Sequence, residues 1–208
     1  MTDPLNITVL GAGMVGGNLA RRLDGLGHHI TLGARDPNSD KIQATLAAVP
    51  TATVARLGDS TADANVVILA VPFPAAVETL AAVGPLDGKI LIDATNAVGV
   101  QLPPGHNMAV SVVAAADPTA RVVKAFNTIG AEHFLDHPIG NASIVLPIAG
   151  EDSARHVVAA LATDMGFDVI ETGDLDTAHH VEAFAAMWIH LALRRGYGRG
   201  IAFQLLRE

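Results

Sequence analysis

Gly11-Ala12-Gly13-Met14-Val15-Gly16 follows Ile7-Thr8-Val9-Leu10 directly, and this junction leaves the chain few folds to adopt. The four residues before the turn are apolar or β-favouring and read as a buried strand. After it, Leu19, Leu23 and Leu26 recur at helical spacing, and Gly27 is placed to close the helix. Gly11 permits a tight turn. Gly13 lets a pyrophosphate approach the backbone where a Cβ would collide, and Gly16 lets the helix pack closely on the strand. The helix N-terminus then offers unpaired N–H donors and a positive dipole end to phosphates. Any glycine-rich turn can show the same spacing. The strand before it and the helix after it turn the reading into a dinucleotide site.

Downstream, strands and helices alternate. Strands are expected at His29 to Ala34, Thr51 to Ala55, Asn65 to Val71, Lys89 to Asp93 and Arg121 to Phe126. Helices are expected at Asp40 to Ala48, from Pro72-Phe73-Pro74 to about Ala82, and at Asn107 to Ala116. The run at Asn65 to Val71 is apolar throughout, as for a central parallel strand covered on both faces. These elements predict an α/β fold, a doubly wound parallel sheet of the Rossmann dinucleotide-binding type. A small α/β extension follows, with strands at Ser143 to Ala149 and Asp168 to Glu171 and helices at Asp152 to Met165 and Thr177 to Arg195. We expect residues 1–127 to form the NADP-binding domain. Residues 128–208 are expected to add the acceptor site and dimer contacts.

Composition narrows the function. The formal net charge of -8 argues against a broad nucleic-acid surface or an anionic membrane face as partner. The absence of cysteine removes thiol nucleophiles, disulfides and thiolate metal sites. No basic segment precedes an apolar one at the start, so a cytoplasmic location is expected. GxSxG, HExxH and Walker sequences are missing, which leaves hydrolysis and phosphoryl transfer without support. His133 and His137 are four apart, but Pro138 follows at once and no third ligand stands nearby, so no metal is expected. His179 and His180 read as the start of the last long helix.

The second strand ends in Gly33-Ala34-Arg35. An NAD-specific site usually carries Asp or Glu near here for the ribose hydroxyls. Arg35 stands there instead, and a guanidinium can pair with a 2′-phosphate and stack on adenine. Lys41 adds nearby charge. Asp36 reads either as the ribose carboxylate or as a cap for the next helix. Ligands in this fold lie across the carboxyl ends of the strands. Those ends are Val71-Pro72-Phe73, Ala94-Thr95-Asn96 and Phe126-Asn127-Thr128. Asn96 and Asn127 read either as hydrogen-bond partners of ribose or carboxamide, or as caps of the following segments.

Taken together, the glycine turn, Gly33-Ala34-Arg35, Val71-Pro72 and Lys124-Ala125-Phe126-Asn127-Thr128 resemble the NADP oxidoreductase family dependent on coenzyme F420, a deazaflavin. The sequence is also similar to the cytosolic domain of the six-transmembrane metalloreductases. The resemblance implies an NADP(H)-dependent oxidoreductase that transfers a hydride between nicotinamide and a flat acceptor. That acceptor is F420 or a similar flat ring; the alternatives are a flavin with onward electron transfer to ferric ions, or a non-enzymatic NADPH-binding sensor. The resemblance makes Arg35 the phosphate-binding arginine; the family often has Ser or Thr before it, where this chain has Ala34. Ring-to-ring hydride transfer needs positioning more than a protein acid or base, so no catalytic side chain is expected. Phe184, Met187, Trp188 and Leu191 lie at helical spacing near the end of the chain. They read as core or homodimer contacts, or as an apolar wall for the acceptor with Met187 and Trp188 touching it.

Overall fold

A computed structural model describes residues 2–135 and 142–208. The strands are β1 (Asn6–Leu10), β2 (His29–Ala34), β3 (Thr53–Arg56), β4 (Val66–Leu69), β5 (Ile90–Asp93), β6 (Arg121–Lys124), β7 (Val145–Gly150) and β8 (Asp168–Gly173). The helices are α1 (Met14–Asp24), α2 (Asp40–Ala48), α3 (Ala76–Val83), α4 (Ala109–Ala116), α5 (Asp152–Asp164) and α6 (Ala178–Ile189). All eight strands form one sheet in the order β3-β2-β1-β4-β5-β6-β7-β8. The first six run parallel, with the order reversing between β1 and β4. This is the expected doubly wound arrangement, and its ligand crevice lies where the order reverses.

β4 shows why the centre of the sheet is apolar. Val66, Val67, Ile68 and Leu69 are all fully buried, because helices cover both faces. Its hydrogen bonding continues at Asn65 and Ala70, which explains the longer apolar run in the sequence. β7 is antiparallel to β6 and pairs with it at Val123–Gly150 and Lys124–Ala149. Pro147, which cannot donate to a ladder, lies outside that short pairing. A Cβ on Gly150 would meet the Val122 carbonyl oxygen at 2.6 Å, so the close approach there requires glycine.

The expected helix from Thr177 to Arg195 is α6 followed by a π-helical turn at His190–Arg194. The tail beyond it folds back along the extension. Phe203 accepts a hydrogen bond from the Val145 N–H at 2.9 Å, and its ring meets Phe184 edge-on at 4.8 Å. Arg207 grips Asp168 with both guanidinium arms at 2.8–3.0 Å. No helix among the described residues is long and apolar enough to cross a membrane.

Candidate functional site

The three glycines of the first turn have different surroundings. Gly11 has φ +108°, and a Cβ there would lie 2.6 Å from the Ala70 carbonyl oxygen of the neighbouring strand end. A Cβ on Gly16 would lie 1.8 Å from the Gly11 carbonyl oxygen. Gly13 is open by contrast: the nearest atom to a Cβ is Lys41 Nζ at 3.9 Å. Gly13 is also the N-cap of α1 and offers no side-chain hydrogen bond to it. The first-turn N–H groups of a helix have no partner within the helix. Here they face open space with no acidic residue in the first turn, which suits a phosphate. Met14 is exposed, and Val15 is half-buried against the main core.

A groove of about 370 Å3 opens beside the turn, lined among others by Gly11, Ala12, Ala34, Arg35, Lys41, Val71 and Pro72. Arg35 Nη2 pairs with Glu78 Oε2 on α3 at 3.1 Å, with both side chains exposed. Nothing in the sequence marks Glu78, an exposed residue of a mid-chain helix. An exposed pair of this kind is worth about 0–1 kcal/mol, so an incoming phosphate can displace it. Asp36 Oδ1 accepts the Asn38 N–H at 3.0 Å and so holds the local turn, while Ser39 is the N-cap of α2. Lys41 borders both this groove and a shallower one against Gly13, Gly17 and Asn18. Its ammonium therefore lies between the glycine turn and Arg35.

At the strand ends the structure separates side chains that meet a cavity from those that fill the core. Phe73 is buried in a small apolar cluster with Ala109 and Val112. Ala94 and Phe126 belong to the main core, and Phe126 packs edge-on against Phe134 at 5.9 Å. The side chains of these three, expected at the cofactor, lie in the core and leave only their backbone for a ligand. Phe126 has φ +61°, a conformation uncommon for a bulky residue, and it turns the chain after β6. Asn127 then returns to Asn96. Asn96 Nδ2 donates to the Asn127 carbonyl oxygen at 2.8 Å, and Asn127 Nδ2 donates to Asn96 Oδ1 at 3.2 Å. The two side chains bind each other, so neither serves as a simple cap. Thr95 Oγ1, Asn127 Oδ1 and Thr128 Oγ1 are buried with no hydrogen-bond partner. Three unpaired oxygens at two adjacent strand ends depart from the usual pairing of buried polar groups.

Just beneath them lies an ion pair that the sequence reading passed over. Lys124 Nζ meets Asp93 Oδ2 at 2.9 Å with neither side chain exposed. The available signal was a charged residue closing each of two strands with apolar centres, Ile90-Leu91-Ile92-Asp93 and Arg121-Val122-Val123-Lys124.

Asn96 also borders a second cavity, of about 360 Å3, between the 97–102 loop and α6. Its walls include Val98, Val100, Leu102, Glu182, Ala186, Ile189, His190 and Arg194. Glu182 accepts the N–H groups of Ala109 and Val110 at 2.9 and 2.8 Å and so caps α4. The face of α6 turned to this cavity is therefore not the one expected. Trp188 is 3 % exposed, donates Nε1–H to the Ile201 carbonyl oxygen at 2.7 Å and lies under Arg199. It packs the tail against α6 and cannot touch an acceptor in the cavity. Met187 is 55 % exposed and lies off the cavity as well. Trp188 takes the core place among the alternatives its spacing allows, because spacing alone does not say which stripe of a helix apolar on more than one side faces inward.

Of the histidines, His133 is buried with Nε2 3.3 Å from the Arg199 carbonyl oxygen, and His179 and His180 are exposed at the start of α6. His137 lies outside the described residues. Among the described residues no group of three or more His, Asp or Glu side chains can hold a metal ion.

Comparison with known proteins gives a consistent result. Residues 6–97 match the family model described as NADP oxidoreductase, coenzyme F420-dependent. A protein of Arthrobacter sp. FB24, assigned as an F420-dependent NADP-reductase, is 30 % identical with a TM-score of 0.84; the match covers 98 % of this chain and 100 % of that one. Protein SMa0349 of Sinorhizobium meliloti is 25 % identical with a TM-score of 0.75, covering 99 % and 97 %. Metalloreductase STEAP3 of Rattus norvegicus is 29 % identical over 178 residues. That match takes in 85 % of this chain but 36 % of STEAP3, so the chain spans about a third of that relative's length.

Proposed function

The chain belongs to the family of coenzyme F420-dependent NADP oxidoreductases, and from that premise we propose that it transfers a hydride between NADP(H) and a deazaflavin. The observation that carries the reading is the glycine turn. Gly11 and Gly16 are closed by the protein's own backbone, whereas Gly13 faces open space next to Lys41 at the uncapped start of α1. The residues present fit a dinucleotide. The turn and Lys41 hold the diphosphate, and Arg35 holds the 2′-phosphate. Asn96, at the mouth of the second cavity, stands at the nicotinamide end, with Asn127 hydrogen-bonded behind it.

Bound NADPH supplies the hydride. The chain's part is to fix distance and face, which for an intramolecular-like transfer can account for most of the acceleration. The second cavity begins at Asn96, and its Val98, Leu102 and Ile189 side chains give a flat acceptor an apolar wall and keep water away. A second reading replaces the deazaflavin by a flavin with onward transfer to ferric ion, and the match to a metalloreductase lends it part of its support.

Acceptor-dependent oxidation of stereospecifically deuterated NADPH decides between them. The label is expected to reach the deazaflavin without exchange into water. Faster turnover with a flavin and a ferric chelate would select the second reading. NADPH binding without turnover on any acceptor would make the protein a dinucleotide sensor instead.

The proposal includes a homodimer, supported by the apolar surface that α6 and its π-helical turn leave uncovered. Met187 and Leu193 are 55 % and 58 % exposed. Trp188, which is internal, is not the residue to test. Sedimentation at micromolar concentration is expected to give a dimer, and Met187→Glu with Leu193→Glu a monomer. A wild-type monomer would remove this part.

A further inference from the structure

The buried pair at the ends of β5 and β6 does more than join two charges. Lys124 Nζ donates to Asp93 Oδ2 at 2.9 Å and to the Thr95 carbonyl oxygen at 2.6 Å. Asp93 Oδ1 accepts the Thr95 N–H at 2.9 Å. Thr95 is therefore held by both its N–H and its C=O, one from each member of the pair. Asp93 and Lys124 are register partners in adjacent parallel strands and are completely buried.

Stability alone is a poor reason for such a pair. Desolvating two charges offsets most of their attraction, and well-packed apolar residues of similar volume often serve as well or better. What apolar residues cannot do is tie the backbone at Thr95. That tie sits one residue before Asn96 and directly below the Asn96–Asn127 clasp. On the other strand, Lys124 precedes the left-handed turn at Phe126 that brings Asn127 back to Asn96.

We infer that Lys124 and Asp93 are positioning residues: by clamping Thr95 they set the placement of the Asn96–Asn127 pair, and through it the nicotinamide end of the cofactor. The inference rests on the cofactor reading above. The adenosine and phosphate contacts are made by other strand ends, those of β1 and β2.

The experiment replaces the pair by Asp93→Leu with Lys124→Met and measures four quantities. These are the thermal midpoint, NADPH affinity by calorimetry, the fluorescence enhancement and anisotropy of the bound nicotinamide, and the single-turnover rate of hydride transfer to the deazaflavin. The double variant is expected to fold and to bind NADPH within about threefold of wild type, since its phosphate anchors are intact. Nicotinamide fluorescence enhancement is expected to be lost, and hydride transfer to slow by about tenfold or more, as misplacement by an ångström does. Asp93→Asn keeps the side-chain volume and an acceptor for the Thr95 N–H while weakening the hold of Lys124. It serves if the double variant does not fold, and is expected to reduce both signals together.

A folded variant of either kind with wild-type nicotinamide fluorescence and transfer rate overturns the inference and leaves the cofactor reading standing. Failure of the wild-type protein to bind NADPH overturns both.

Discussion

Gly13→Val is expected to fold and melt like the wild-type protein and to lose NADPH by about a hundredfold or more. The backbone at Gly13 has φ -81° and ψ -172°, an extended conformation that a β-branched residue adopts readily. The added Cβ meets no atom of the protein nearer than Lys41 Nζ at 3.9 Å. Folding therefore has no reason to fail. The valine methyls instead occupy the space in front of the first turn of α1. A diphosphate kept away from that turn forfeits at least two charge-assisted hydrogen bonds, each worth about 1.5–3 kcal/mol. Calorimetric titration and a thermal melt on the same sample check both halves. Unchanged affinity would remove the turn from the site.

The contrast with Gly16 sharpens this result. Gly16→Ala sets its Cβ 1.8 Å from the Gly11 carbonyl oxygen, so the turn itself must move and stability must fall. Two glycines three residues apart thus separate binding from folding.

Arg35→Ala is expected to weaken NADPH by about tenfold to a hundredfold, the worth of one lost charge-assisted hydrogen bond, and NADH by about threefold or less. Arg35 is the cation at the end of β2, and in the free protein its guanidinium rests on Glu78 at 3.1 Å. The exchange of Glu78 for a 2′-phosphate replaces a single carboxylate by a group of greater charge with more acceptor oxygens. Because the pair is exposed, raising the salt concentration should narrow the difference between the two cofactors in the wild-type protein. Competitive titration with both cofactors is the check. Equal weakening of the two would mean that Arg35 only stacks on adenine, and the 2′-phosphate assignment would fall.

Much of the candidate cofactor groove was legible before the structure because its signals are local. The glycine turn, the apolar runs and the Gly33-Ala34-Arg35 strand end each lie within a few residues, and each obeys a backbone or periodicity rule. Arg35, Lys41, Val71 and Pro72 accordingly do border one groove. Phe73, Ala94 and Phe126 bury their side chains in the core for a related reason: a strand end can be read from sequence, but which of its side chains turn inward cannot. The acceptor side was less legible. α6 carries apolar residues around much of its circumference, and only the returning tail decides that Trp188 is enclosed while Ala186 and Ile189 face a cavity.

The sequence by itself determined the order of strands and helices, the phosphate-binding turn and the cation at the end of β2, because chain geometry and periodicity act over a few residues. The tertiary structure alone decided that Asp93 meets Lys124, 31 residues away, and that Glu78 reaches Arg35. It also decided that Gly13 is open where Gly16 is closed. Each of these depends on strand register and on how a helix lies against the sheet, and those are fixed only when the whole core packs.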